Sequence, residues 1–426
     1  MKRILYVLHS GITGGTFLTN KDLMKHVEKE FDVYLLGAEN DYLRLFKYSE
    51  DNLNLIKEYP RNIKSNVPIE GHYTINKKWS AKDFHNSWLS YIYFDIMINY
   101  KIDIVHIRHL INHSFDLPQV AKKLNIPVVL SIHDFYFLCP FYTLLDENHE
   151  YCEAKCSDNQ ENCYCPMKSL SDINSKEIIP VWRKNVLEMF SYVDYFVTTS
   201  EIVKDLFLRV YTDLSIINNE NFKVIEHGRD FPKINKKLYE VPSVDKPIKI
   251  LCPANHLNVM KGSELIKKIK EEDKENRLEF HFLGNCHDGL EEYGIAHGTF
   301  ERDEFYKKVE EIRPSFIGVF SIWPETFCHT ITEAWSCGIP VIGTNIGVIE
   351  DRISKNNGGW IIDKDNYKNS YEIILNILLK EKNEEDSFLN ILYNVQRIIF
   401  KSTEDMANEY MFIYRMLYKK YSLKLN

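Results

Sequence analysis

The sequence predicts an α/β fold with two domains, each built around a parallel sheet. Short runs of consecutive apolar residues alternate with longer amphipathic stretches, which is the pattern of strands connected by helices. The strand-like runs are apolar throughout rather than at every second position, so both faces of each strand should be covered. The chain has 426 residues, more than one hydrophobic core usually supports.

The elements of the first half follow from these runs. Strands are predicted at 4–8, 33–36, 104–107, 128–132, 195–199 and 222–225, and helices at 19–30, 115–124 and 181–192. The first apolar run is too short for the core of a signal peptide, so it is assigned to a buried strand. Residues 41–90 are polar, aromatic and weakly periodic, and no element is assigned to them.

The pattern lapses at 231–247, where three prolines indicate a linker. Beyond it, strands are predicted at 248–252, 279–283, 295–299, 316–320, 340–343 and 359–362, and helices at 262–271, 302–312 and 327–337. A long amphipathic helix is predicted at 403–421. Three parts are therefore expected: a Rossmann-like domain at 1–240 with a cysteine-rich insertion at about 139–166, a second Rossmann-like domain at 246–402, and a terminal helix at 403–426.

Composition narrows the class of partner. The net charge of −8 argues against nucleic acid as the main partner, because phosphate binding needs a basic face. No stretch of 18 or more residues lacks both charges and helix breakers, so no transmembrane helix is predicted. We expect a cytoplasmic protein. Peripheral contact with a membrane is left open, because the terminal helix carries Arg415, Lys419 and Lys420.

The most informative segment is 322–345, which reads IWPETFCHTITEAWSCGIPVIGTN. Glu325 follows a strand-like run, and Glu333 stands eight positions later in a helix-like segment. Ligands of open α/β sheets bind beyond the carboxyl ends of the strands. A carboxylate there can bind sugar hydroxyls, while the free N–H groups of the next turn, with His329 and Thr330, favour an anion. Alternatively, both acids merely stabilise the start of a helix.

Lys261 and Gly262 form a second candidate element, because they follow a strand and open a helix. A lysine at the start of a helix suits a diphosphate. The alternative is an ordinary solvated lysine.

His133 closes a strand of the first half in the run Ser-Ile-His-Asp at 131–134. A residue at the carboxyl end of a strand faces the ligand crevice. We expect Asp134 to orient His133, and the alternative is a structural His–Asp pair.

Four of the nine cysteines form a C-x3-C-x6-C-x-C pattern: Cys152, Cys156, Cys163 and Cys165. Four thiolates could hold a structural zinc ion and fasten a loop that has no core of its own. Plain or reactive thiols and disulfides remain alternatives, although a cytoplasmic protein does not usually keep disulfides. The spacing is not a standard zinc pattern.

In these features the chain resembles the family-4 glycosyltransferases, retaining enzymes of the GT-B fold. The resemblance covers nearly the whole length. It rests on the Glu-x7-Glu string, the Lys-Gly pair, and four further motifs: the glycine loop after the first strand, S-I-H-D at 131–134, T-T-S-E at 198–201 and I-E-H-G at 225–228.

The resemblance implies two Rossmann-like domains that face each other across a cleft, with an acceptor side in the first domain and a nucleotide-sugar site in the second. The terminal helix would cross back to the first domain. Lys261 would contact the diphosphate, and the helix that begins near Phe327 would direct its N-terminus at the same charge. Glu325 would bind hydroxyls of the donor sugar, and Glu333 the ribose.

The resemblance also implies a part for the first domain. His133 would reach the reacting sugar, and Gly14 and Gly15 would let the backbone approach the donor phosphate. The sugar would be transferred with retention, and the leaving phosphate would help to deprotonate the acceptor. No catalytic cofactor or metal is then required beyond the nucleotide-sugar co-substrate.

Two positions depart from the family pattern. Cys328 stands where the family often has glycine, so its side chain could narrow the donor pocket. His256 stands about five residues before Lys261, where arginine is usual, so diphosphate binding could be weaker.

The predicted function is transfer of a hexosyl or deoxyhexosyl group from a nucleotide sugar to a glycan, lipid-linked or protein-linked acceptor, in surface polysaccharide or glycoconjugate synthesis. The alternatives are a non-catalytic GT-B module that binds glycan or protein, and a sugar-nucleotide epimerase. The presence of His133, Lys261, Glu325 and Glu333 together argues against the first alternative. The Glu-x7-Glu form argues against the second.

Overall fold

The structure is a computed structural model that describes residues 1–10, 15–39, 41–61, 84–146, 148–156, 178–234, 236–256, 259–287, 289–380, 384–385 and 387–423. The chain divides into two compact units. The first comprises Met1–Asn148, Cys152–Asp230 and Lys401–Asn426, and the second comprises His149–Tyr151 and Phe231–Phe400.

Eight strands form one sheet in the described part of the first unit. They are β1 (Lys2–Leu8), β2 (Phe31–Glu39), β3 (Tyr42–Ser49), β4 (Asn52–Pro60), β5 (Ile104–Ile107), β6 (Val128–Ser131), β7 (Tyr195–Thr198) and β8 (Phe222–Val224). The order is β4-β3-β2-β1-β5-β6-β7-β8. All neighbours are parallel except β2–β3 and β3–β4, which are antiparallel.

The antiparallel pair β3–β4 is the part of this sheet that the sequence pattern does not predict. A two-residue turn joins the strands, and Glu50 and Asp51 both have positive φ, 52° and 63°. Such turns usually carry Asn-Gly or Asp-Gly, which tolerate that backbone conformation. Since neither residue gives that signal, the hairpin is missing from the prediction for 41–90.

Five helices of this unit are described before residue 230. They are α1 (Gly15–Val27), α2 (Ser87–Asn99), α3 (Asp116–Lys123), α4 (Ile178–Phe190) and α5 (Glu201–Val210). The N-cap of α2 is Asn86, whose side chain accepts hydrogen bonds from two backbone N–H groups of the first turn. Ser200 caps α5, and its hydroxyl accepts one hydrogen bond, from the N–H of Val203.

The second unit contains a six-stranded parallel sheet in its described part. Its strands are β9 (Ile248–Pro253), β10 (Leu278–Leu283), β11 (Ile295–Ala296), β12 (Phe316–Val319), β13 (Val341–Thr344) and β14 (Gly359–Ile362). Its helices are α6 (Ser263–Glu272), α7 (Phe305–Ile312), α8 (His329–Ser336), α9 (Gly347–Asn356), α10 (Tyr367–Asn376) and α11 (Phe388–Val395).

The strand order of the second sheet is β11-β10-β9-β12-β13-β14. Chain order therefore reverses at β9, which pairs with β10 on one side and β12 on the other. Such a reversal opens a crevice beyond the carboxyl ends of the strands, where ligands of open parallel sheets bind. The loops that follow β9 and β12 line this crevice.

The terminal helix, α12 (Thr403–Ser422), packs on the first unit. Ser402 and Asp405 form a capping box at its start. Its apolar stripe, which includes Met406 and Ile413, joins a core cluster with residues of β1 and α1. The hydroxyl of Tyr414 lies 2.6 Å from Nδ1 of His106 on β5, which ties the helix to the sheet.

Every strand predicted from the sequence is present. The second unit begins earlier than the domain range 246–402, because Leu238 and Tyr239 are buried in its core. The predicted helix at 302–312 begins with a 3-10 turn, Arg302–Glu304, before α7. The strand predicted at 295–299 is reduced to Ile295–Ala296.

Candidate functional site

The loop between β12 and α8 is held against the turn that precedes α6. The N–H of Ile322 donates to the carbonyl of Met260 at 2.9 Å. The Thr344 hydroxyl donates to the carbonyl of Ser321 at 2.6 Å. The two loops at the strand-order reversal therefore form one connected structure.

Gly262 allows the turn before α6 to lie this close to the loop after β12. Its φ of 77° lies in the left-handed region, and a Cβ at this position would overlap the carbonyl oxygen of Phe320. No other residue type combines that conformation with so small a volume, which explains why glycine follows Lys261. The close contact at Gly262 places Lys261 directly beside the loop after β12.

Lys261 and Glu325 form an ion pair in the crevice. Nζ of Lys261 lies 2.5 Å from Oε1 of Glu325, which also accepts a hydrogen bond from the Ser321 hydroxyl at 3.0 Å. Burial alone would lower the pKa of Lys261, but the charge of Glu325 outweighs it and raises the pKa. Lys261 is therefore a cation at neutral pH.

The backbone between Glu325 and α8 is strained. Glu325 has φ of 32° and Cys328 φ of 63°, both in the region that favours glycine. Cys328 is the N-cap of α8, and its side chain makes no capping hydrogen bond. Glycine would adopt this conformation at position 328 without strain.

Arg352 on α9 holds the strained loop in place. One guanidinium nitrogen donates to the carbonyls of Phe327 and Cys328, each at 2.9 Å, and another donates to the Thr332 hydroxyl at 2.8 Å. The guanidinium also lies 4.2 Å from the ring centroid of Phe327. Sequence reasoning missed Arg352, because these contacts span 20 to 25 residues and leave no local pattern.

A small open pocket lies at this site. Its lining includes five of the residues predicted from the sequence: His256, Lys261, Glu325, Cys328 and Thr330. The thiol of Cys328 is buried, which raises its pKa to about 12, with Glu325 adding to the effect. Cys328 is therefore a neutral thiol at physiological pH.

The remaining predicted residues of this unit lie on α8 or at its start. Phe327 is buried beneath Arg352, and its ring packs against the ring of His329 at a centroid distance of 5.1 Å. His329 and Thr330 are half-buried in the first turn, and Glu333 is half-buried in the second.

His133 lies just beyond β6 in the first unit and is half-buried. Its ring stacks on that of His227, with centroids 5.4 Å apart and planes 11° apart. Burial and the neighbouring Arg108 and His227 hold the pKa of His133 well below its usual value, so the ring is neutral. The stack joins two of the sequence motifs, at 131–134 and 225–228.

Asp134 does not orient His133, contrary to the prediction. Its Oδ2 lies 2.8 Å from Nε2 of His109, and its Oδ1 accepts the N–H of Tyr136 at 2.9 Å. Nδ1 of His109 accepts the N–H of Ile111 at 3.0 Å, so Nε2 carries a proton and donates it to Asp134. Adjacent residues on a strand end point in different directions, which is why sequence adjacency misled here.

Gly15 is the first residue of α1, and Gly14 lies outside the described residues. A Cβ at Gly15 would meet no described atom within 4 Å. Packing in the described structure therefore does not require glycine at position 15.

The cysteine prediction falls only partly within the described residues. Cys152 and Cys156 are half-buried, and Sγ of Cys156 accepts a hydrogen bond from Arg183 at 3.4 Å. Cys163 and Cys165 lie outside the described residues. Within the described part, no group of three or more histidine, cysteine or acidic side chains is arranged to hold a metal ion, so the zinc hypothesis gains no support.

Comparison with solved structures shows what fold this is. Sucrose-phosphate synthase from Thermosynechococcus elongatus matches with a TM-score of 0.63 and 14% identity, covering 98% of this chain and 100% of that chain. A glycosyltransferase from Rickettsia africae matches with a TM-score of 0.60 and 16% identity, covering 98% of each chain. The chain has the GT-B fold.

A third structure with the GT-B fold is HepE of Anabaena in complex with UDP and glucose. It matches with a TM-score of 0.58 and 14% identity, covering 97% of this chain and 100% of that chain. Residues 263–388 match the family model of glycosyl transferases group 1. This range contains Glu325, Cys328 and Glu333. No curated protein matches the chain.

Among the described helices, none combines the length and the apolar character that crossing a membrane requires.

Proposed function

We propose that this chain is a retaining glycosyltransferase that moves a hexosyl or deoxyhexosyl group from a nucleotide sugar to a glycan, lipid-linked or protein-linked acceptor. The observation that carries the proposal is the pair Lys261–Glu325 in front of α8, at the strand-order reversal of a GT-B unit. A cation and a helix N-terminus suit a diphosphate, and a carboxylate suits sugar hydroxyls. The match of 263–388 to glycosyl transferases group 1 supports it.

The ion pair opens when the donor binds. The diphosphate replaces Glu325 as the counter-ion of Lys261, and the released carboxylate accepts hydrogen bonds from the donor sugar. The free N–H groups at the start of α8, near His329 and Thr330, face the same diphosphate. Glu333, one turn further along α8, binds the ribose hydroxyls.

The chemical step breaks the bond between the anomeric carbon and the diphosphate oxygen. The acceptor oxygen forms its bond to that carbon on the same face, and its proton passes to the leaving diphosphate. Lys261 and the N-terminus of α8 stabilise the charge that develops on the leaving group. Two further roles follow from the family resemblance. The neutral His133 contacts the reacting sugar, and the loop that contains Gly14 and Gly15 contacts the donor phosphate.

The acceptor and the pathway rest on the family resemblance, which favours synthesis of surface polysaccharide or glycoconjugate. UDP sugars are the first donors to test, because HepE, a structure of the same fold, was solved with UDP and glucose.

A thermal-shift screen of the full chain against UDP-, GDP- and dTDP-sugars tests the donor site. A ligand that binds only the folded state stabilises it by about 2.7 kcal/mol at a concentration of 100 Kd. We expect one nucleotide class to raise the melting temperature in wild type and not in Lys261→Met. If none of these nucleotides shifts wild type, the proposed function is wrong.

Retention is tested separately by proton NMR of the product formed with the active donor. The anomeric coupling of the transferred sugar should match that of the donor. An inverted anomeric centre would reject the retaining mechanism but leave the transferase assignment in place.

A further inference from the structure

His256 is fixed in the pocket by contacts on several sides. It is 1% exposed, and its backbone N–H donates to the carbonyl of Asn285 at 2.8 Å. It also forms a parallel bridge with Cys286, which extends the pairing of β9 and β10. The imidazole packs edge-on against the ring of Phe282 at 5.5 Å between centroids. The ring therefore has little freedom to turn.

The hydrogen bond of one ring nitrogen determines the tautomer. Nε2 of His256 lies 3.2 Å from the carbonyl oxygen of Cys252. A carbonyl oxygen only accepts hydrogen bonds, so Nε2 carries the proton. In the neutral ring, Nδ1 is then an acceptor with a lone pair.

The surroundings keep the ring neutral. Burial lowers the pKa of His256 to about 4, and the positive charge of Lys261 contributes in the same direction. Nδ1 is buried and has no hydrogen-bond partner in the part of the chain that the structure describes. A buried acceptor without a donor is unfavourable, so a donor group is expected to reach it in the working complex.

The chemistry of Nδ1 excludes a phosphate as its partner. The oxygens of a nucleotide diphosphate carry no protons at neutral pH and act only as acceptors. Two acceptors facing each other repel, whereas a hydroxyl or an N–H group would form a hydrogen bond.

We propose that His256 recognises a hydrogen-bond donor of the nucleotide sugar, a hydroxyl or an N–H group, and that the diphosphate is bound by Lys261 and the start of α8 without it. This inference rests on the proposed function. It makes His256 a residue that determines ligand specificity rather than a charge that binds phosphate. A buried hydrogen bond of this kind discriminates strongly between ligands, because a ligand without the donor leaves the acceptor unpaired.

The test uses two variants that separate the ring nitrogens. In His256→Gln the side-chain amide reaches the position of Nε2 and can still donate to Cys252, but the acceptor at Nδ1 is lost. In His256→Asn the amide oxygen lies near the position of Nδ1. Unliganded melting curves of both variants control for folding.

Calorimetric titration of each protein uses two probes, inorganic pyrophosphate and the nucleotide sugar that binds wild type in the screen. We expect His256→Gln to bind the nucleotide sugar about tenfold more weakly, with pyrophosphate affinity unchanged. His256→Asn should recover part of the nucleotide-sugar affinity. Lys261→Met should lose pyrophosphate binding, which shows that this probe reports the diphosphate site.

Two results would overturn the inference. Equal weakening of pyrophosphate and nucleotide sugar in His256→Gln would make His256 a diphosphate ligand, and no weakening of either would make it purely structural. If the variants do not fold, nitrogen NMR of histidine-labelled wild type decides, because the proposal requires an unprotonated Nδ1 signal that changes on nucleotide-sugar binding. Failure of wild type to bind any nucleotide sugar would instead contradict the proposed function.

Discussion

Nζ of Lys261 lies 2.5 Å from Oε1 of Glu325, although the two residues are 64 positions apart in the chain. The cation and the carboxylate that the sequence assigns to different parts of a donor are therefore partners of each other. If Lys261 binds the diphosphate as proposed, the diphosphate has to compete with Glu325, and this competition can be measured.

Glu325→Gln should affect binding and transfer in opposite directions. The variant frees Lys261 from its counter-ion, so pyrophosphate should bind up to about fivefold more tightly. Transfer should fall about 100-fold, because the variant loses the carboxylate that we propose positions the donor sugar. Titration calorimetry and an assay of sugar release from the donor check both effects. Glu333→Gln is the control, since it should leave pyrophosphate affinity unchanged. Weaker pyrophosphate binding in Glu325→Gln would contradict the competition.

Gly262→Ala should destabilise the second unit by about 3 kcal/mol, because a Cβ would combine left-handed strain with overlap on Phe320. Denaturant unfolding measures the loss. Gly15→Ala is the matched control, since a Cβ there meets no described atom within 4 Å and alanine favours a helix by up to about 1 kcal/mol. If the proposed phosphate contact is correct, Gly15→Ala should instead weaken donor binding. Similar losses of unfolding free energy in Gly262→Ala and Gly15→Ala would contradict the claim that only Gly262 is closely packed.

Cys328→Gly should widen the choice of donor. The substitution relieves a left-handed conformation that costs about 1 kcal/mol and removes a buried side chain from the pocket wall, so stability should change little. The ratio of kcat/KM for UDP-N-acetylglucosamine to that for UDP-glucose should rise about tenfold if the enzyme uses UDP sugars. Cys328→Ser keeps the volume and should keep the wild-type ratio. An unchanged ratio in Cys328→Gly would show that Cys328 does not limit donor size.

Asp134→Asn should lower stability by about 2 kcal/mol at pH 7, because it removes the ionised partner of His109. Burial alone would raise the pKa of Asp134, but His109 and the N–H of Tyr136 outweigh it and hold the pKa below its usual 3.8. The folded-state pKa is depressed, so the stabilisation is complete above pH 3.8 and is lost as the pH falls through the folded-state value.

Urea unfolding of wild type and Asp134→Asn from pH 7 to pH 3 measures this difference. The gap between the two unfolding free energies should narrow only below about pH 4. Transfer by the variant should stay within about threefold of wild type, because Asp134 contacts His109 and not His133. A large loss of transfer with intact stability would reinstate Asp134 as a partner of the catalytic site.

Most strands and helices were predictable because their signals are local. Runs such as Phe316–Val319 are buried on both faces, and such burial favours uninterrupted apolar residues. The hairpin of β3 and β4 was not predicted because its turn, Glu50 and Asp51, lacks the Asn-Gly or Asp-Gly pair that usually marks a two-residue turn.

The site was predictable in part for the same reason. Lys261, Gly262 and Glu325 stand at the ends of recognisable strands and the starts of recognisable helices, so their positions in the crevice follow from the α/β pattern. Their mutual contact does not follow, and neither does the role of Arg352, which clamps the carbonyls of Phe327 and Cys328.

The amino-acid pattern predicts the two α/β units, the edge of the second sheet that bears the candidate site, and the residue types present there. It does not predict the pairings, which arise on folding: Lys261 with Glu325, Asp134 with His109, and His256 with the carbonyl of Cys252. The physical reason is that periodicity is set by neighbours within a few residues, whereas a hydrogen-bond partner depends on the distance and direction of groups that folding brings together. Those directions made Lys261 a paired cation and left Nδ1 of His256 as an acceptor.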